Sequence, residues 1–118
     1  MDRLTQHEIE VLREALDDEY HAWATYDQVI ADFGEVAPFL NIRDAEARHI
    51  EALRVLYRSF GLQMPENDWP GRVERYPSLQ AACEAGVAAE IANAGLYDRL
   101  LAVPVRPEIA AVLQRLRQ

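Results

Sequence analysis

Glu19, Glu46, His49 and Glu90 are the residues of this chain best suited to hold a divalent metal ion. Glu46 and His49 belong to a Glu-x-x-His run, Glu46-Ala47-Arg48-His49, a spacing that brings both side chains to one face of a helix. Carboxylate oxygen and imidazole nitrogen are ligands for hard or borderline divalent cations. Two close cations can also share bridging carboxylates that would otherwise repel each other. The expected roles are terminal ligands for Glu19 and Glu90, a bridge for Glu46 and an imidazole ligand for His49.

What makes these residues unusual is the face they occupy. Steps of four and three residues along the first helical stretch give Leu12, Leu16, Glu19, Trp23, Tyr26, Ile30 and Phe33, so Glu19 falls on an apolar stripe. The same count gives Phe39, Ile42, Glu46, His49, Leu53, Leu56 and Phe60 in the second stretch, and Leu79, Cys83, Gly86, Glu90, Asn93, Tyr97 and Leu100 in the third. An ionised carboxylate removed from water costs several kcal/mol unless it is paired or coordinated. Any one of these acids has a plain explanation, as a carboxylate paired with arginine or reaching to the rim, just as a lone histidine on an apolar face is commonly a satisfied core residue. Three helices each supplying one favours a shared partner, because Arg13, Arg43, Arg48, Arg54, Arg58 and Arg99 all lie off these stripes. Tyr26 and Tyr97, each seven residues after a glutamate in a weak internal repeat, and Asn93 are candidate hydrogen-bond partners of the ligands. The tyrosines have an equally simple reading as core aromatics.

Helices must carry these stripes, and the sequence punctuates them. Thr5 and Glu8 have capping-box spacing and Gly34 suits a C-terminal cap, which predicts a helix over about residues 6 to 33. Pro38 at a first helical position and a stop at Gly61 predict a second over about 38 to 60. Ser78 caps a third over about 79 to 102, and Pro104 and Pro107 bracket a turn into a fourth over about 107 to 118. Residues 61 to 77, with Pro65, Pro70, Gly71 and Pro77, form a long irregular connection. At about 3.3 Å per residue it can run back along a helix, as a crossover between two helical hairpins requires. One all-α domain covering residues 1 to 118 is expected.

The chain has 118 residues, 20 acidic against 12 basic, all arginine, for a net charge of -8. That balance excludes nucleic acid as the natural partner and favours metal cations. No apolar run reaches the length of a membrane span, and no secretory leader precedes the first helix, so a cytoplasmic location is the default, or a secreted one had a leader been removed. Cys83, the one cysteine, is expected to be a small buried hydrophobe. His7 and His21 are expected to be solvated. Trp69 is left with two readings, capping an end of the bundle or meeting a partner.

On these residues the chain resembles the ferritin-like superfamily, and is similar to a bacterial ferritin-like group of unknown function. The resemblance rests on Asp18-Glu19-Tyr20 with Ala24-Thr25-Tyr26, on Asn41-Ile42 with Ala45 to His49, and on Ala89-Glu90-Ile91-Ala92-Asn93 leading to Leu96-Tyr97-Asp98. It implies an antiparallel four-helix bundle with a long crossover between helices 2 and 3, iron or manganese as cofactor, and oxidase, ferroxidase or peroxide-reducing chemistry at a di-iron or di-manganese carboxylate site. The fourth helix departs from the pattern. It should bring a second Glu-x-x-His, yet its seam reads Ile109, Val112 and Leu116 and it is short or truncated. The ligand set is completed beyond residue 118 or by a second molecule, with a homodimer through the seam beside the short helix as one remedy; failing both, the centre holds one metal or is vestigial. The competing expectation is a metal-free helical interaction module.

Overall fold

The computed structural model describes residues 3–117, which fold into four α-helices with no strand among them. Helix α1 spans Gln6–Phe33, α2 Phe39–Ser59, α3 Leu79–Leu101 and α4 Pro107–Arg117. The boundaries follow the predicted ones to within a residue. Pro38 sits at the N-cap of α2 rather than inside it, and Gln118 lies outside the described residues. Thr5 accepts from the Glu8 amide and the Glu8 side chain accepts from the Thr5 amide, which closes the capping box. At the other end Gly34, with φ 94°, takes a conformation that a side chain would strain, and its amide satisfies the Ile30 carbonyl.

Helix α1 packs mainly against α2 and, on another flank, against α3, while α4 packs against α3 and α2. The larger core cluster gathers Leu12 and Leu16 of α1, Leu53 and Leu56 of α2, Tyr97 and Leu100 of α3, and Ile109, Leu113 and Leu116 of α4. A smaller cluster holds Tyr26, Val29, Phe39 and Ala82. No residue of α4 belongs to the second cluster, because that helix has 11 residues against 28, 21 and 23 in the others.

The α3 seam is consequently covered only in part. Val87 and Ile91 are 63% and 70% exposed. Cys83, expected to be buried, is exposed as well. The expectation assumed a neighbour along the whole of α3, and among the described residues none of α4 joins the cluster at that level. Trp23, expected on the buried stripe, is only half-buried, and His7 is half-buried rather than solvated, with its Nε2 enclosed.

The connection between α2 and α3 lies along α1. Tyr20 donates to the Pro65 carbonyl at 2.6 Å, Asn67 to the Tyr20 carbonyl at 3.2 Å and the Trp69 indole to Asp17 at 2.9 Å. Trp69 also stacks on His21, with ring centroids 4.3 Å apart. Farther along, Arg75 bonds both oxygens of Asp32.

One buried ion pair ties the start of α1 to the turn between α3 and α4. Arg106 donates to both oxygens of Glu8 at 2.8 and 2.9 Å and lies over the Phe60 ring. The Arg106 guanidinium is the main reason the Glu8 carboxyl falls from 4.5 to about 2, with the Thr5 and Arg106 amides helping and burial opposing. Because the folded value is depressed, the pair stabilises the fold fully above about pH 4.5 and ceases to do so as pH falls through about 2. Some solvent screening acts this close to the surface, so Glu8→Gln should cost about 2 kcal/mol at neutral pH in urea unfolding. The gap to the parent protein should close on acidification over that window.

Candidate metal centre

Three helices converge on one polar cluster inside an otherwise apolar interior. Glu19 lies midway along α1, one turn beyond Leu16 on its buried stripe, and is fully buried. Glu46 and His49, a helical turn apart on α2, face it. His49 Nδ1 is 3.1 Å from Glu19 Oε2 and 3.7 Å from Glu46 Oε2. One ligand atom from each of the three residues lies within 4.8 Å of the others. From α3, the fully buried Tyr97 donates to Glu19 Oε1 at 2.6 Å. The helix seams thus bring together Glu19, Glu46, His49 and Tyr97 as the sequence predicts.

The charges in this cluster are uneven. Burial would raise Glu19, but hydrogen bonding with His49, Glu46 and Tyr97 outweighs it and leaves its carboxyl below the ordinary range. Glu46 goes the other way: burial first, and then the nearby Glu19, push it up to about 8 even though His49 works against them. Bonding to Glu19 and Glu46 lifts His49 to about 10 against the opposing effect of burial. Tyr97 is pushed far up by burial and by the adjacent Glu19 charge, so its phenol remains a donor. Within the group Glu46 is thus the acid more inclined to keep a proton, Glu19 the one more inclined to ionise, and His49 the natural carrier of positive charge beside them.

Satisfaction is incomplete. Glu19 has His49 on one oxygen and Tyr97 on the other. Glu46 is 4% exposed, yet its Oε2 is buried without any hydrogen-bond partner. An orphaned buried carboxyl oxygen is costly, and it lies beside two other ligand-type groups. The donor set, two carboxylates and one imidazole with the His49 edge still reaching solvent, suits a hard or borderline divalent ion with an open position.

Glu90 stands apart from this trio. It is exposed on α3 and accepts from Tyr26 at 2.9 Å, so the buried mid-seam position expected for it is corrected. Its stretch of α3 lacks the covering that α4 gives to Tyr97 and Leu100. Tyr26 is accordingly a partner of Glu90, with its own phenol raised by burial and by that carboxylate. Asn93 bonds Asp18 rather than any of the three clustered residues. Asp18 escaped sequence reasoning because it is off the apolar stripe. Its only signal was adjacency to Glu19.

A cleft of about 260 Å³ opens between α1 and α3 and reaches the cluster. Its walls include Asp18, Tyr26, Glu46, Glu90 and Asn93, and Glu74 and Tyr76 of the connection close one side. Comparison with known proteins found no matching family model, no matching curated protein and no matching solved structure.

Proposed function

We propose that this is a ferritin-like metal-binding protein whose centre takes an iron or manganese ion between Glu19, Glu46 and His49. The observation that carries the reading is the unpartnered Oε2 of Glu46, buried beside the Glu19 carboxylate and the His49 imidazole. A divalent cation would meet all three ligand atoms at once, displacing the protons that Glu46 and His49 favour and offsetting the repulsion between the two acids. Supporting the antiparallel arrangement are the contact registers. Arg43 and His49 of α2 meet Asp27 and Glu19 of α1, falling as α2 rises, and Glu90, Tyr97 and Arg99 of α3 meet Tyr26, Glu19 and Glu14 in the same sense. The connection tied along α1 is what a crossover between hairpins needs.

When bound, such an ion supplies redox chemistry toward dioxygen or peroxide. The protein's own part is to hold the ligands and keep them dry. Tyr97 fixes the Glu19 carboxylate in one orientation, and His49 keeps one edge toward solvent. Glu90, which lines the same cleft as Glu46, would be the next acid to join as a ligand were its bond from Tyr26 exchanged. The exposed α3 seam beside α4 is the surface through which a second copy would pack.

A metal-free helical module is the rival reading, and the specific observation in its favour is that His49 and Tyr97 already satisfy both oxygens of Glu19. The two diverge on metal content. Purified protein dialysed against Mn(II) or Fe(II) without oxygen should retain the ion in stoichiometric amount, and Glu46→Ala and His49→Ala should each abolish retention. Retention equal in the parent and both variants would overturn the assignment of these ligands.

A further inference from the structure

The cleft between α1 and α3 has a composition its surroundings lack. Asp18, Glu46, Glu74 and Glu90 line it, His21 is its one basic residue, and no arginine is among its lining residues, in a chain whose arginines otherwise pair freely with surface acids. Acidic groups alone would say little. The second observation is that the cleft ends on Glu46, the buried carboxyl with the unpartnered oxygen, so its acids lead to a group that wants a cation. Asp18 is held in the cleft wall by Asn93 across the α1–α3 contact, which fixes its carboxylate rather than leaving it free in solvent.

We infer that this cleft is the loading path of the centre, and that Asp18 and Glu74 are staging residues that capture a hydrated divalent cation before it passes to Glu46. The inference rests on the metal-binding reading above. Walls of low dielectric lined by one sign of charge focus the field, raise the local concentration of the opposite ion and accelerate its capture. Glu74 approaches from the connection and Asp18 from α1, so the ion meets carboxylates on two sides while it keeps its water shell. Those waters are exchanged for protein ligands only at Glu46, Glu19 and His49. Tyr76, two residues from Glu74, also lines the cleft and adds no charge that would hold the ion there.

Capture and retention are separable by kinetics. Mn(II) association and dissociation rates, measured by stopped flow on the whole chain, should differ between the parent protein and the double variant Asp18→Asn, Glu74→Gln. The association rate should fall about tenfold at low salt, with the loss shrinking as ionic strength rises, and the dissociation rate should stay close to that of the parent. Glu74→Gln alone, an exposed change that leaves the helices untouched, should give a smaller loss of the same kind. Glu108→Gln at the start of α4 removes the same charge outside the cleft and should leave association nearly unchanged. A loss confined to faster dissociation would make Asp18 a ligand or a structural support and overturn the staging role, as would association rates unaltered by either change or lowered equally by Glu108→Gln. Failure of the parent protein to bind Mn(II) at all would overturn the centre itself, a result distinct from binding with an unaltered rate.

Discussion

Glu46→Leu should make the metal-free protein more stable and the metal-loaded protein less so. Without metal, the substitution removes a buried carboxyl with an orphaned oxygen and replaces it with a side chain that suits the apolar surroundings. Exchanges of that kind stabilise by about 2 kcal/mol. With metal the sign reverses. An ion present at about a thousand times its dissociation constant adds about 4 kcal/mol to the stability of the parent protein, and the leucine variant has no bridge to receive it. Urea unfolding with and without Mn(II) gives all four values. A leucine variant that is less stable in the absence of metal would mean that Glu46 is already satisfied and that its unpartnered oxygen does not mark a site.

His49→Ala carries the opposite expectation for the metal-free protein. Its imidazole is the main partner of Glu19, which is fully buried, and its loss removes the one cationic group beside that charge. Removing one member of a buried pair costs roughly 3 to 5 kcal/mol. The sign with pH follows from the two shifts. Glu19, held below 4.5, contributes stability above that value, and His49, raised to about 10, contributes fully below 6.5 and loses its contribution as pH climbs through 10. The deficit of the alanine variant should thus be greatest between about 4.5 and 6.5 and should narrow on either side. Glu19→Gln introduced into His49→Ala should recover much of the loss, since an amide needs no counter-charge. Without that recovery, the cost belongs to a cavity left by the ring.

The sequence carried the four helices because each is marked at its ends by chemistry that acts locally. Thr5 with Glu8, Ser78, Gly34 and Pro107 all fall at or beside the observed boundaries. It also carried the convergence of Glu19, Glu46, His49 and Tyr97, since those lie where all the helices are mutually covered and a stripe drawn on one helix implies a neighbour on the next. The same reasoning misplaced Glu90 and Cys83. A seam identifies the face a helix would bury, but whether anything lies against it depends on its neighbours, and the described residues of α4 do not reach the level of Cys83 and Glu90. Asp18 and Glu74 were invisible for a different reason. They meet only across α1, α3 and the connection, at positions where no periodicity distinguishes them from ordinary surface acids.

The way residues 65 to 75 are fastened to α1 bears on how two such chains could become entangled. A long linker between hairpins is an invitation to exchange, in which the α3–α4 unit of one molecule settles on the α1–α2 unit of another. Here Trp69 on His21 and Asp17, Pro65 and Asn67 on Tyr20, and Arg75 on Asp32 hold the linker to its own α1, which leaves an exchange only residues 76 to 78 in which to turn away. The clasp thereby keeps each hairpin with its own sibling.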